Sequence, residues 1–239
     1  METIKKFKDI HKGEDIYIIA SGKSLDFIDE TFFDDKILIG VNQAYKKIWC
    51  DYLVRKETKF IKDSLDSESI VFVSEYDSGN LNSGENKLNT NKIEHDNLYY
   101  FEHLDNGHTN IDTSIFGTDK IVVSFSTITS AIHIAAYMGA KNIILVGHDC
   151  GTIDGEMTFK GYYNSIKDTP WQDWKQYKNW LKVIESQTII VKNEIKKHYN
   201  LEDFFINKFK KNTENSSKSQ FLLSYLSELP KPIIEFFVL

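Results

Sequence analysis

Four consecutive apolar residues, Ile16-Tyr17-Ile18-Ile19, run directly into Ala20-Ser21-Gly22-Lys23-Ser24, and no other stretch constrains the fold as tightly. The run is short and β-branched, so it reads as a strand buried on both faces. The small, turn-forming residues after it read as a tight turn. Leu25, Ile28 and Phe32, spaced by three and four, then predict one apolar face of a short helix. Strand, turn and helix therefore fill Asp15 to Asp29. A helix start leaves backbone N–H groups unpaired and carries the positive end of the dipole, which makes the turn at Ser21, Gly22 and Ser24 a seat for phosphate. The turn is not an ATP-binding P-loop, because the position five residues before Gly22 must be glycine in that motif and is Tyr17 here. A strand-helix turn that binds nothing is the plain alternative.

The same grammar repeats down the chain. Lys36 to Val41 predicts a second strand that ends in Asn42-Gln43, with a short helical stretch over Ala44 to Trp49. Asn42 can present a donor and an acceptor to a base or sugar edge, or it can simply cap the next helix. Asp51 to Val54 predicts a third strand, Thr58 to Leu65 a surface helix and Ile70 to Val73 a fourth strand. Alternation at this spacing calls for βαβ units around a parallel sheet, with right-handed crossovers. Residues 76–119 break the rhythm with Asn, Asp, Ser and Gly, apart from one strand around Leu98 to Glu102. The histidines of this stretch, His95, His103 and His108, match no metal spacing and read as solvated loop residues.

A second informative stretch runs from Val122 to Gly151. Thr127, Thr129 and Ser130 lead into Ala131-Ile132-His133-Ile134-Ala135-Ala136-Tyr137-Met138, whose alanines let a helix lie close on a sheet, and Gly139 stops it. Asn142 to Val146 is then a buried strand closing in Gly147-His148-Asp149. Hydroxyls stand at a helix start and titratable groups at a strand end, so His148 is a candidate general base and Asp149 a nearby carboxylate. Adjacent residues on a strand point to opposite faces, and a packed polar role for His148 with a tethering role for Asp149 is the structural alternative. Residues 151–170 read as a lid-like loop containing Tyr162 and Tyr163. Trp171, Trp174, Tyr177, Trp180, Leu181 and Ile184 recur at helical spacing, Ile190 to Tyr199 continue the pattern, and Asp203 to Ile206 predicts a last strand.

Composition limits the function classes. The 239 residues suit a Rossmann-like domain over 1–207, and 208–239 reads as a linker with a helical C-terminal extension. Lys plus Arg number 29 against 35 Asp plus Glu, a net charge of −6 with no basic footprint for nucleic acid. Cys50 and Cys150 are the only cysteines and imply no disulfide framework. No stretch resembles a signal peptide or a membrane span, so a cytoplasmic protein is expected. Ile233 to Leu239 is apolar, which points to docking on the body, on a second subunit or on a membrane surface; of these we expect a homo-oligomer contact.

Taken together, these motifs resemble a family. Ile18 to Leu25 looks like the G-x-G-P-S-L nucleotide loop of the bacterial sialyltransferases of glycosyltransferase family 42 and of the related motility-accessory-factor and MptE-like (DUF115) domains. Val41-Asn42-Gln43 resembles their C-N-Q strand end, Ile128-Thr129-Ser130-Ala131 their I-T-S-G helix start, and Leu145 to Asp149 their S-G-x-D strand end. Order and spacing agree over roughly residues 15–165. The resemblance implies a mainly parallel twisted sheet with helices on both faces, binding a CMP-sugar. It places Ser21, Gly22 and Ser24 near phosphate and ribose, and Asn42, Gln43, Thr129, Ser130, Ala131 and Asp149 around the rest of the donor. In the sialyltransferases two tyrosines after S-G-x-D assist the departing phosphate and a later histidine deprotonates the acceptor. Here the first tyrosine position falls at Gly151, Tyr162 or Tyr163 fits the second, and no histidine stands near Asp168 to Trp174.

The expected activity is transfer of a nonulosonic acid or related sugar to a glycan or protein acceptor. Tyr162 and Tyr163 would serve the phosphate and His148 the acceptor proton, with no obligatory metal. The alternatives are an MptE-like pterin diphosphokinase using ATP and magnesium, with Asp149 as ligand, and a non-catalytic nucleotide- or glycan-binding module. The expected location is the cytoplasm, at the inner membrane surface if the C-terminus docks there.

Overall fold

A computed structural model describes residues 2–55, 61–78, 86–88, 93–103, 110–162 and 174–206 of the chain. Seven strands form one sheet, parallel at every pairing: β1 (Asp15–Ile19), β2 (Ile37–Val41), β3 (Tyr52–Arg55), β4 (Ile70–Ser74), β7 (Leu98–Phe101), β8 (Asn142–Val146) and β9 (Asp203–Ile206). Their spatial order is β7-β4-β3-β2-β1-β8-β9. β5 (Tyr76–Ser78) and β6 (Asn86–Leu88) pair antiparallel in a separate hairpin. The helices are α1 (Ile61–Leu65), α2 (Thr127–Tyr137) and α3 (Trp174–His198), with short 3-10 turns between strands. The fold is a Rossmann-like α/β fold, as the alternation of apolar runs requires.

Both faces of the sheet are apolar because every central strand is hydrophobic at odd and even positions alike. Ile16 and Ile18 join Ile39, Val54, Phe72 and Leu145 in a core roofed by α2 and by Val191 and Ile195 of α3. Tyr17 and Ile19 join Leu53, Val71, Val73 and Val146 in the other, covered by Leu25, Phe32, Ile61, Phe159 and Tyr162. All eleven residues of α2 are buried, since it lies between the sheet and α3. That is why its sequence is apolar all round rather than striped.

Two local expectations change. The helix predicted from Leu25 to Phe32 is two single turns of 3-10 helix, Lys23–Phe27 and Glu30–Phe33. Asp29 separates them: its carboxylate accepts from Thr31 N at 3.0 Å and Thr31 Oγ1 at 2.8 Å, restarting the chain at the second turn. The loop over 76–119 also holds more order than expected, since the hairpin lies within it and β7 adds the edge strand beside β4. His103 is correspondingly buried at the end of β7, with Nδ1 2.5 Å from Ser74 Oγ, whereas His95 is exposed as expected. His108, and the linker and appendage expected over 208–239, lie outside the described residues.

Candidate functional site

Strand order reverses between β1 and β8. From β1 the chain moves outward through β2, β3, β4 and β7, and it returns through α2 to place β8 on the opposite side. Open α/β sheets form their ligand crevice outside the carboxyl ends of strands at such a point. Here the two exit turns continue the ladder beyond the strands, with Ala20 N donating to Val146 O at 2.8 Å and Gly22 N to Gly147 O at 2.7 Å. Approach this close requires glycine: a Cβ on Gly22 would stand 2.4 Å from both Gly147 O and Asp149 Oδ2.

The position expected to seat phosphate is filled by the chain itself. Asp149 Oδ2 accepts from Ser24 N at 2.9 Å and Asp149 Oδ1 from Ser24 Oγ at 2.6 Å. The carboxylate thus takes the free N–H of the first turn, and the turn is only five residues of 3-10 helix. Burial raises the Asp149 pKa, and the two bonds from Ser24 oppose that rise. Gly22, Ser24 and Asp149 form a clasp between the two exit turns, with Ser24 wholly buried in it.

The segment expected to act as a lid is pinned across this clasp as far as Tyr162. Thr158 bridges to Gly22, Phe159 N donates to Ser21 O at 3.1 Å, and Lys160 N reaches the Asp26 carboxylate at 2.9 Å. A tight turn, with paired Ile153 and Glu156 bonds of 2.9 Å, starts the segment. Its far end delivers Tyr162, 9% exposed, whose phenol shares hydrogen bonds with the side chains of Ser21 and Asn42 and stands near Arg55. Burial raises the Tyr162 pKa, with Ser21, Arg55 and Asn42 opposing it, so the phenol keeps its proton at neutral pH. Asn42 adopts a left-handed backbone, φ 57°, immediately after β2, while its N–H still donates to Val54 O at 3.3 Å. A left-handed residue is tolerated in Asn better than in most side chains, and such conformations collect at functional edges. Gln43 follows, partly exposed, and caps the Ala44–Lys46 turn without a side-chain bond.

The second predicted junction is closed. Ser130 Oγ donates to Val122 O at 2.7 Å, and Thr129 Oγ1 donates to Ser126 O at 2.8 Å while lying 2.8 Å from Ser124 Oγ. Thr129, Ser130 and Ala131 are all buried, so these hydroxyls hold the 121–126 segment against α2. His148 turns toward α3, with Nε2 3.4 Å from Thr188 Oγ1 and 3.5 Å from Cys150 Sγ. Burial lowers its pKa to about 4, and burial with the Glu185 and Asp149 charges lifts the Cys150 thiol to about 12. Both groups are neutral at pH 7, and His148 occupies a packed polar position on the α3 side, opposite the core that contains Tyr162. The structure therefore brings together Ser21, Asn42 and Tyr162, with Gln43 beside them, and separately ties Gly22 to Gly147 and Ser24 to Asp149. Thr129, Ser130, Ala131 and His148 stand apart from both groups. Tyr163 lies outside the described residues.

Sequence reasoning passed over Arg55. It ends β3, is 3% exposed, and donates from Nε to Ser64 Oγ of α1 at 2.5 Å. Its guanidinium carbon is 5.8 Å from the Tyr45 ring centre. Burial lowers the Arg55 pKa, and the neighbouring Tyr45, Tyr162 and Asp63 raise it again. A signal was available: Arg55 is the only arginine among the chain's 29 basic residues.

No family model matches this chain, and no curated protein matches it. Among the described residues, no group of three or more His, Cys, Asp or Glu side chains is placed to hold a metal ion, and no helix is long and apolar enough to cross a membrane.

Proposed function

We propose that the protein is a glycosyltransferase of the sialyltransferase-like type, taking a nonulosonic acid or related sugar from a CMP-activated donor to a glycan or protein acceptor. One observation carries this reading. Ser21, Asn42 and Tyr162 converge at the carboxyl edge of β1 and β2, beside the switch point, with Arg55 at the end of β3 next to them. The group supplies a hydroxyl, an amide, a protonated phenol and a guanidinium, which suits a sugar nucleotide whose leaving phosphate gains charge in the transition state. Tyr162 donates to that phosphate, and Ser21 and Asn42 hold the donor. The acceptor proton is not given to His148, since a buried imidazole lowered to about 4 is a weak base at neutral pH.

The diphosphokinase alternative asks Asp149 to hold magnesium, and both oxygens of that carboxylate are engaged by Ser24. That favours the CMP reading. A non-catalytic nucleotide-binding module keeps a claim because the described edge supplies donor-binding groups more plainly than it supplies a base. The place of action in this reading is the cytoplasm.

A thermal-shift panel of CMP, CDP, ATP and GTP, each with and without magnesium, tests the assignment. A ligand at about a hundredfold excess over its Kd stabilises by about 2.7 kcal/mol, or several degrees for a chain of this length. CMP is expected to do this without magnesium, and no shift with CMP overturns the reading. A shift only with ATP and magnesium supports the kinase. A CMP shift with no turnover of any CMP-sugar supports the binding module.

A further inference from the structure

Ser21 and Asn42 stand within two residues of the ends of β1 and β2, so the sheet itself fixes where they are. Tyr162 has no such support: it meets them only if segment 151–162 keeps one register against the β1 exit. The last four residues of that segment form a tight turn. Tyr162 N donates to Phe159 O at 3.3 Å, and Gly161 takes the third position with φ 91°. Such a turn asks for glycine there, and its closing bond leaves the N–H of the second residue with no partner inside the turn. That residue is Lys160.

Asp26 takes the N–H. Lys160 N donates to Asp26 Oδ2 at 2.9 Å and stands 3.2 Å from Oδ1, while Lys23 Nζ, 3.0 Å from the same Oδ2, steadies the carboxylate. A bond to an ionised acceptor is roughly twice as strong as a neutral one, and the Asp26 side chain is only 16% exposed, so water competes poorly for it. Lys23 Nζ also lies 3.9 Å from Glu156 Oε2, but that carboxylate is largely in solvent and adds little. Asp26 is carried on a fixed part of the molecule. Its turn, Lys23–Phe27, buries Leu25 completely and has Ser24 held through N and Oγ by Asp149. Position thus passes from the end of β8 through Asp149, Ser24 and Asp26 to the turn that ends in Tyr162. The Thr158 bridge to Gly22 and the Phe159 N bond to Ser21 O run backbone to backbone and come before that turn. Phe159 and Tyr162 pack edge to face with ring centres 5.3 Å apart, which keeps the ring buried, but apolar packing is non-directional and does not set where the phenol oxygen falls.

We propose that Asp26 is a positioning residue of this site: by holding the Lys160 N–H it fixes the turn 159–162 and so brings the Tyr162 phenol to Ser21 and Asn42. Its consequence for affinity rests on the reading of that group as the donor-binding edge. Its consequence for the place of Tyr162 is measured with no ligand at all.

Asp26→Ala and Asp26→Asn in the whole chain, each followed by amide hydrogen exchange and by tetranitromethane nitration mapped on peptides, test the assignment. Nitration reads the phenol itself, and the buried Tyr162 of the wild type should resist it. Asp26→Ala should speed exchange at the Lys160 amide and nitration of Tyr162 by at least about tenfold each, the scale of one lost bond to a charged acceptor, while the amides of β1 and β2 keep their wild-type rates. Asp26→Asn keeps one oxygen for the N–H and should fall between; it decides the matter if Asp26→Ala does not fold. In CMP titration, affinity should drop about tenfold in Asp26→Ala and less in Asp26→Asn. If the wild type binds no CMP while Tyr162 is released in the variants as expected, the sugar-nucleotide reading fails and the positioning role stands. If Tyr162 is released and CMP affinity is unchanged, the ligand does not use the residue that Asp26 places, and the proposal falls. Unchanged nitration of Tyr162 in both variants, or exchange that rises equally across the sheet and the segment, also overturns it.

Discussion

The exit of β1 and the start of α2 look alike as sequence, each a run of small hydroxyl-bearing residues where an apolar element begins or ends, and they do different work. At α2 the hydroxyls of Thr129 and Ser130 are turned inward onto Ser126 O and Val122 O, because the incoming 121–126 segment lies against the helix and needs donors for its carbonyls. At β1 the side chains of Ser21 and Asn42 meet Tyr162, brought from over a hundred residues away. A hydroxyl at a junction therefore reports a ligand site only where the neighbouring backbone has already found its partners. The α2 side is a sealed polar interior, and the β1 side keeps two partly exposed polar groups, Ser21 and Asn42, beside Tyr162.

Acid tests the seal most severely. His148 and His133 are neutral inside it, with pKa values lowered by burial to about 4 and about 3, the latter helped by His198. Val122 N donates to His133 Nδ1 at 3.0 Å, so Nε2 carries the proton toward Tyr199 Oη at 2.7 Å. Unfolded histidines take up protons near 6.5, so both contribute stability above that pH and lose it as the pH falls toward their folded values. At pH 5 linkage gives a loss of about 2 kcal/mol for each, about 4 kcal/mol together. Asp149 works in the other direction, since its raised carboxyl pKa lets acid favour the folded form. Urea unfolding at pH 7 and pH 5 measures the sum, and a loss below about 1 kcal/mol would mean that the α2 side is open to water.

A smaller effect separates the two junctions directly. Ser130→Ala removes the donor to Val122 O in a fully buried place and should cost about 1–2 kcal/mol of stability. CMP affinity should stay within about twofold. A tenfold loss of affinity with unchanged stability would return Ser130 to the site and erase the distinction between the junctions.

The sheet was legible because its signal is local. Runs such as Ile16–Ile19 and Ile143–Val146 are apolar at both parities, which only a sheet covered on two faces explains, and even β9 followed from Asp203-Phe204-Phe205-Ile206. The helix after β1 was misjudged because spacing reports the apolar face of Leu25, Ile28 and Phe32 but not the competition from the Asp29 side chain that ends the turn. The site was harder to read, since it depends on contacts between distant residues. Nothing near Ser24 says that Asp149 will take its N–H, and the pairing of Ser21 with Tyr162 depends on Thr158 bridging to Gly22. Arg55 is legible in the sequence as the one arginine of a lysine-rich chain, at the end of an apolar strand.

The finest test of the β1 edge is Asn42. Alanine is an ambiguous substitution there, because at φ 57° it costs about 1–2 kcal/mol from strain alone and weakened binding would have two causes. Glycine accepts that backbone freely. Its relief of strain and its larger unfolded-state entropy nearly offset each other, so Asn42→Gly should leave stability within about 1 kcal/mol of the wild type. What it removes is the amide that meets Tyr162. If the left-handed turn exists to present that amide, CMP binding should weaken about tenfold in Asn42→Gly at nearly unchanged stability, a loss on the scale of one hydrogen bond to a charged ligand. If binding is unaffected, the turn serves only the exit from β2, and the candidate group shrinks to Ser21 and Tyr162.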